Sequence, residues 1–246
     1  IIVVTGAGRG LGKAFAEACA AANAKTVVVA DLNAEWGQAT ADALSQNGSD
    51  AIFLPVDLAD PDSVSAFGAE LQQRYGRVDG LVNNAAIATG IGGKSFEEID
   101  IATWDRVMTV NVRGTWLMIR ALAPLLRQST SGGRIVNLAS DTALWGAPKL
   151  LHYVSSKGAV ISMTRSLARE LGSDRIAVNA VAPGLVLVEA TEYVPEERKR
   201  QYVEGRAMAR AQMPEDVVGA VVFLLSDGAG FVTGQLLPVN GGFVLH

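Results

Sequence analysis

Cysteine is almost missing from this 246-residue chain: Cys19 stands alone, so no disulfide can close within it. Such usage fits a reducing compartment. Within the Ala-rich stretch from Ala14 to Ala24, the thiol reads as a small buried hydrophobe rather than a nucleophile. Long apolar runs are missing too. Val217 to Leu225 is the longest, well short of the roughly 20 residues that a spanning helix needs. With no secretory leader visible, the expected location is cytoplasmic, with no membrane partner. There is no basic stripe either: the net charge is −4, and the densest charged run, Glu196-Glu197-Arg198-Lys199-Arg200, mixes its signs. It reads as a solvated helix face, which excludes nucleic acid as the expected partner. Only 19% of residues are charged while 49% are hydrophobic, the reverse of a disordered chain. No linker, repeat or composition shift divides the sequence, so residues 1–246 read as one domain.

What is present is an alternation of short β-branched runs and amphipathic stretches. Strands are predicted at Ile1–Thr5, Thr26–Asp31, Ala51–Val56, Val78–Asn83, Gly133–Leu138, Ile176–Val181 and Gln235–Val239. Helices are predicted at Leu11–Asn23, Ala34–Asn47, Pro61–Tyr75, Thr103–Arg127, His152–Leu171, Glu196–Glu204 and Pro214–Ser226. Apolar strands separated by helices imply parallel βαβ crossovers, hence a doubly wound α/β sheet covered on both faces. Three loops exceed plain connectors: Ala86–Ile101, Ala139–Leu151 and Ala182–Pro195. All follow predicted strands and belong at the carboxyl edge, where open α/β sheets bind ligands.

The first strand runs into Thr5-Gly6-Ala7-Gly8-Arg9-Gly10-Leu11-Gly12, and a helix follows. Its glycine spacing differs from G-x-G-x-x-G, but the physics is shared: a tight turn, close approach to a pyrophosphate, and free N–H groups at a helix start. Asp31 ends the second strand, where a carboxylate accepts ribose hydroxyls and repels a 2′-phosphate. NAD is therefore expected over NADP, although Arg9 offers a 2′-phosphate a cation and Asp31 also has a helix-capping reading. Asp57 has two readings as well, adenine contact or cap. The pair Asn83-Asn84 reads as ligand contact or turn chemistry.

Tyr153 and Lys157 are four apart on a predicted helix and share a face. A nearby ammonium and a cationic nicotinamide ring both favour the phenolate, so a tyrosine whose pKa is lowered to near neutral is expected. Ser140 precedes Tyr153 by thirteen residues, across a loop containing Gly146 and Pro148. Asn111, a poor helix former, falls inside the long predicted helix Thr103–Arg127.

Taken together, the Gly6–Gly12 turn, Asp31, Asp57, Asn83–Ala85, Asn111, Ser140, Tyr153-Ser155-Ser156-Lys157 and Pro183-Gly184 resemble the short-chain dehydrogenase/reductase family along the whole chain. The resemblance implies a Rossmann fold with a seven-stranded parallel sheet in the order 3-2-1-4-5-6-7, in a homo-oligomer, tetramer or dimer. It implies a catalytic set of Asn111, Ser140, Tyr153 and Lys157. Tyr153 would exchange the proton, Ser140 would hold the reacting oxygen, and Lys157 would bind the nicotinamide ribose and acidify Tyr153. Asn111 would support a water relay. Hydride transfer at nicotinamide C4 needs no metal. Cofactor contacts are expected from Gly6, Gly8, Arg9, Gly10, Leu11, Gly12, Asp31, Leu32, Asp57, Leu58, Asn84, Ala85, Ala86, Tyr153, Lys157, Pro183, Gly184 and Val186. Two positions depart from the family: Ala86 replaces a usual glycine, and Val188 a usual threonine, for which Thr191 is the candidate substitute.

Substrate contacts are expected from Ser140, Trp145, His152, Tyr153 and Leu185, under a lid at 185–210. Ile91, Phe96, Leu144, Trp145, Leu150, Leu151, Leu185, Leu187 and Tyr193 predict an apolar lining. The expected reaction is hydride exchange between a nicotinamide cofactor and an apolar or aromatic alcohol or carbonyl. A 3-oxoacyl-thioester reductase-like role is the alternative within this chemistry. A non-catalytic dinucleotide-binding regulator or another nucleotide-dependent enzyme, such as a methyltransferase, is the alternative outside it.

Overall fold

The computed structural model describes residues 1–245. Seven strands form one parallel sheet: β1 (Ile2–Thr5), β2 (Val27–Asp31), β3 (Ala51–Pro55), β4 (Gly80–Asn83), β5 (Arg134–Leu138), β6 (Ala177–Pro183) and β7 (Leu236–Val239). Their order is 3-2-1-4-5-6-7, as expected, with every neighbouring pair parallel. The strands are continuous apolar runs because both faces are covered. Successive side chains point to opposite faces. Val3, Val28, Leu81, Ile135 and Val178 join a core with Phe67, Leu122 and Met118. Val4, Val29, Val82, Val136 and Val181, on the opposite face, join a second core with Phe15, Leu44 and Val221. Cys19 lies in this second core, where burial pushes its thiol up to about 12.

The helices are α1 (Gly10–Ala21), α2 (Ala34–Gln46), α3 (Pro61–Tyr75), α4 (Ile101–Met108), α5 (Thr115–Leu126), α6 (Thr142–Trp145), α7 (Leu151–Leu171), α8 (Glu196–Gly205) and α9 (Glu215–Leu225). Side-chain caps fix several starts. Asn33 accepts the Trp36 N–H before α2, and Asp60 accepts the Asp62 N–H before α3, with Pro61 at the first helical position. Gly76, in the left-handed region at φ +68°, ends α3. None of the helices described is long and apolar enough to cross a membrane.

Two expectations need correction. The single helix predicted over Thr103–Arg127 is interrupted by a π-helical turn, Thr109–Gly114, between α4 and α5. The Ala139–Leu151 loop contains α6, a single turn too short to carry a periodic signal.

Candidate active site

All three long loops leave the carboxyl edge of the sheet and surround one cavity of about 1430 Å³. That exceeds an ordinary small-ligand pocket of about 300–1,000 Å³ and leaves room for a dinucleotide with a substrate. At one end, Gly6 (φ +63°) and Gly10 (φ +56°) adopt conformations that side chains resist. A Cβ on Gly12 would lie 2.0 Å from the Gly6 carbonyl oxygen, so backbone passes backbone with no room for a methyl group. Helix α1 starts at Gly10 with no side-chain cap, and Gly10, Leu11 and Gly12 line the cavity. Uncapped N–H groups at the positive end of a helix fit the pyrophosphate of a dinucleotide.

Gly8 plays a different part from the contact expected. It is buried off the cavity, and its N–H donates to Asp31 Oδ2 at 2.8 Å. The other carboxylate oxygen accepts the Asn33 N–H at 2.9 Å. The capping role belongs to Asn33, so Asp31 stands braced by two backbone donors at the cavity wall. Beside it, the Arg9 guanidinium sits 4.1 Å from the Trp36 ring centroid, and Leu32 forms an exposed rim. Asp57, Leu58, Ala85, Ala86, Pro183, Gly184 and Val186 line the same cavity. The Asp57 carboxylate accepts the Ala59 N–H at 2.8 Å, while α3 is capped by Asp60. Asn84 lines the cavity and also ties its walls together, donating to the Thr5 and Gly6 carbonyls at 3.0 and 3.2 Å.

Tyr153, Ser140 and Lys157 meet at the cavity floor. The Ser140 hydroxyl oxygen accepts from the Thr142 hydroxyl at 2.9 Å and the Thr142 N–H at 3.3 Å, which leaves its own proton to donate outward. Lys157 is buried, and its ammonium donates to the Leu138 carbonyl at 2.6 Å. Burial without a carboxylate pulls it down to about 8. The expected acidification of Tyr153 is not present in this state. Burial pushes the phenol up to about 12, opposed by Ser140 and reinforced by Tyr193 and Asp141. Lys157 Nζ lies 5.6 Å from the ring centroid. The phenol is therefore protonated at neutral pH.

Asn111 is buried in the π-helical turn and does not line the cavity. Its side chain accepts the Ile87 N–H at 2.7 Å and donates to the Ile87 carbonyl and the Ser156 hydroxyl, both at 3.1 Å. Both amide protons are used, and the side chain clamps the β4 loop to α7. Thr191 is committed as well: its hydroxyl contacts Val186 and Val188 backbone within its own turn.

The substrate end differs most from expectation. Leu185, Leu150 and Tyr193 line it, but Ile91, Phe96, Leu144, Trp145 and Leu151 do not, and Leu187 belongs to a smaller separate cavity. His152 is buried in packing, because neighbouring helix positions point about 100° apart and Tyr153 takes the cavity face. The indole N–H of Trp145 instead donates to the Tyr202 hydroxyl at 3.3 Å. In their place stand Thr89, Lys149, Glu197, Arg198, Gln201 and Tyr202, so the wall is mixed rather than apolar.

Comparison with known proteins agrees with this geometry. A family profile described as Enoyl-(Acyl carrier protein) reductase matches residues 6–244. An uncharacterized oxidoreductase of Mycobacterium tuberculosis is 39% identical, covering 100% of this chain and 98% of its own length. A 3-oxoacyl-[acyl-carrier-protein] reductase of Staphylococcus aureus is 35% identical, covering 99% and 97%. The crystal structure of a protein from Beutenbergia cavernae, described as an NAD(P)-dependent gluconate 5-dehydrogenase with bound NADP at low occupancy, superposes with a TM-score of 0.91. It is 36% identical, covering 98% of this chain and 95% of that one.

The chain belongs to the short-chain dehydrogenase/reductase family. As a short-chain dehydrogenase/reductase, it is a nicotinamide-dependent oxidoreductase acting on CH–OH or keto groups. Some residues of this short-chain dehydrogenase/reductase site gave no warning in the sequence. Thr5 accepts with its hydroxyl from the Asn84 and Ala85 N–H groups at 3.0 and 3.1 Å. Asp141 and Tyr202 pair at 3.0 Å across 61 residues. The one available signal was an acidic residue, Asp141, directly after Ser140 at a strand end.

Proposed function

We propose that this enzyme exchanges hydride between NAD(H) and a secondary alcohol or its ketone, with Tyr153 as the proton-transferring group. The convergence of the Tyr153, Ser140 and Lys157 side chains at one cavity floor carries the reading. When bound there, the nicotinamide supplies hydride transfer at C4. Ser140 donates its free proton to the reacting oxygen. Tyr153, protonated at rest, gives its proton to the oxygen as the carbonyl is reduced; in oxidation it first loses that proton to solvent and, as the phenolate, accepts the proton of the alcohol. Lys157 presents a buried ammonium to the cofactor ribose, and Asn111 positions α7 through Ser156. Asp31, held by the Gly8 and Asn33 N–H groups, favours ribose hydroxyls over a 2′-phosphate and hence NAD. Gly6, Gly10, Leu11 and Gly12 take the pyrophosphate.

The mixed wall favours a substrate with further polar groups over the apolar or aromatic alcohol or carbonyl expected from the sequence. A 3-oxoacyl thioester is the rival within the same chemistry, favoured by the resemblance to the reductase of S. aureus. Turnover of polar hydroxy compounds against a 3-oxoacyl thioester separates the two. Exposed apolar residues lie on two faces, Ile101 and Trp116 on α4 and α5, and Phe223, Phe231 and Leu237 around α9 and β7, which supports a homo-oligomer built from two interfaces.

Tyr153→Phe is expected to lower kcat by about 10²–10⁴ with NADH binding retained, measured by steady-state kinetics and fluorescence titration. Near-normal turnover would end the proposal. Because the resting phenol is protonated, the oxidation rate should climb as pH rises from about 7 to 10, while reduction stays flat or falls.

A further inference from the structure

Asp141 exchanges neither the proton nor the hydride, its charge only helping to raise the Tyr153 phenol, yet it follows Ser140 directly and is fully buried at the cavity floor. Its Oδ1 accepts the Tyr202 hydroxyl at 3.0 Å, Oδ2 faces the Asn240 amide at 3.5 Å, and its N–H donates to the Pro183 carbonyl at 3.0 Å. Tyr202 belongs to α8, the lid helix, and stacks on Phe243 with ring centroids 4.5 Å apart. Just past α8, the buried Arg206 donates to the Asn240 and Leu185 carbonyls and to Gln212 Oε1. The front of the lid is held differently, by the exposed bonds from Tyr193 to the Ala88 carbonyl (2.6 Å) and from Thr89 to the Ala190 carbonyl (3.3 Å). Among these rear anchors, the bond from Tyr202 to Asp141 joins α8 itself to the residue adjoining Ser140.

We infer that Asp141, acting through Tyr202, is a positioning residue that holds lid helix α8 over the substrate end of the cavity and so sets substrate affinity. The effect on substrate rests on the proposed function; the attachment of α8 does not. An asparagine would fill the same space without a charge to desolvate, but it would form a weaker bond with a phenol. The carboxylate is kept although burial pushes it up to about 6. The groups facing it from packed elements are Tyr202 and Arg206 at the lid, Trp145 on α6, Asn240 after β7, and Tyr153 on α7. Below about pH 6 the carboxyl is protonated and its bond to Tyr202 weakens, so the lid loosens as pH falls.

Amide hydrogen exchange on the full chain with NADH tests the attachment without requiring turnover. Tyr202→Phe keeps the ring and removes the hydroxyl. Exchange across residues 196–205 should quicken by about tenfold, the scale of one hydrogen bond to a charged group, with β5 and α7 unchanged. Kinetically, KM for the organic substrate should rise more than kcat falls. Asp141→Asn, whose neutral oxygen bonds Tyr202 more weakly than the carboxylate does, should already show the loosened exchange over 196–205 at pH 7 and no further rise of KM between pH 7 and 5. Wild-type exchange over 196–205 in Tyr202→Phe would overturn the inference, as would a pH-dependent KM that persists in Asp141→Asn. Should Tyr202→Phe loosen the whole molecule, uniform loosening in Asp141→Asn as well would also overturn it. A wild-type enzyme that turns over no alcohol or ketone would refute the proposed function while leaving the exchange result to decide the latch.

Discussion

At the scale of single residues, the site is a set of polar groups held in place by backbone. Asp31 shows this best, with one oxygen on Gly8 and the other on Asn33. Asp31→Ser keeps one acceptor for those donors and removes the charge, leaving Arg9, which lines the same cavity, to meet a phosphate. The ratio of kcat/KM with NADP⁺ to that with NAD⁺ should rise by about ten- to a hundredfold, since like-charge juxtaposition costs several kcal/mol. An unchanged ratio would show that Asp31 does not govern cofactor choice. Gly12→Ala forces a methyl group onto the Gly6 carbonyl oxygen. Overpacking of about 1–3 kcal/mol predicts a ten- to hundredfold weaker NADH complex by titration. Asp141 has a stability consequence of its own. Its native pKa, about 6, lies above the unfolded value, so the native state binds the proton more tightly between about pH 4 and 6. Stability is therefore lost as pH rises through that window. Asp141→Asn should stabilise the protein at pH 7.5, by up to about 2–3 kcal/mol in urea unfolding, and by nothing at pH 4.

At the scale of elements, regular pieces were legible and irregular ones were not. Helix α3 was read to the residue because Asp60, Pro61 and Gly76 mark its two ends. The strands were read to within a residue or two because their apolar runs stop at Gly, Asp and Pro. The π-helical turn escaped, since its cause is tertiary: Asn111 is drawn to Ile87 and Ser156 in other elements. The site was legible in the same measure. Tyr153, Lys157, Ser140 and Asp31 stand at strand ends or on one helix face, positions that periodicity assigns. His152 is turned from the cavity by the helix geometry that gives Tyr153 the inward face, and Trp145 was misplaced because an apolar composition cannot say which way the turn before α7 faces. Asn111→Ala would strip both polar groups of the Ile87 backbone of their partner. A loss of about 2–3 kcal/mol is expected in urea denaturation, with amide exchange fastest at the β4 loop. Unchanged stability would mean that the clamp does no structural work.

At the scale of the whole molecule, the sheet gives its carboxyl edge to the cavity, and the proposed assembly would use exposed apolar residues elsewhere. Phe231 is fully exposed in the single chain, and Phe223 and Leu237 are 48% and 39% exposed. Sedimentation is expected to find an oligomer, and Phe231→Asp should shift it to a smaller species with its active-site floor intact. A wild-type monomer at micromolar concentration would refute the two-interface arrangement. The burial of Cys19 has a practical side as well. A maleimide reagent meets no accessible thiol on the folded protein. A dye placed through Glu204→Cys, on the solvent side of α8, would therefore be the sole label. Its fluorescence would report the opening and closing of that helix in real time against a silent background.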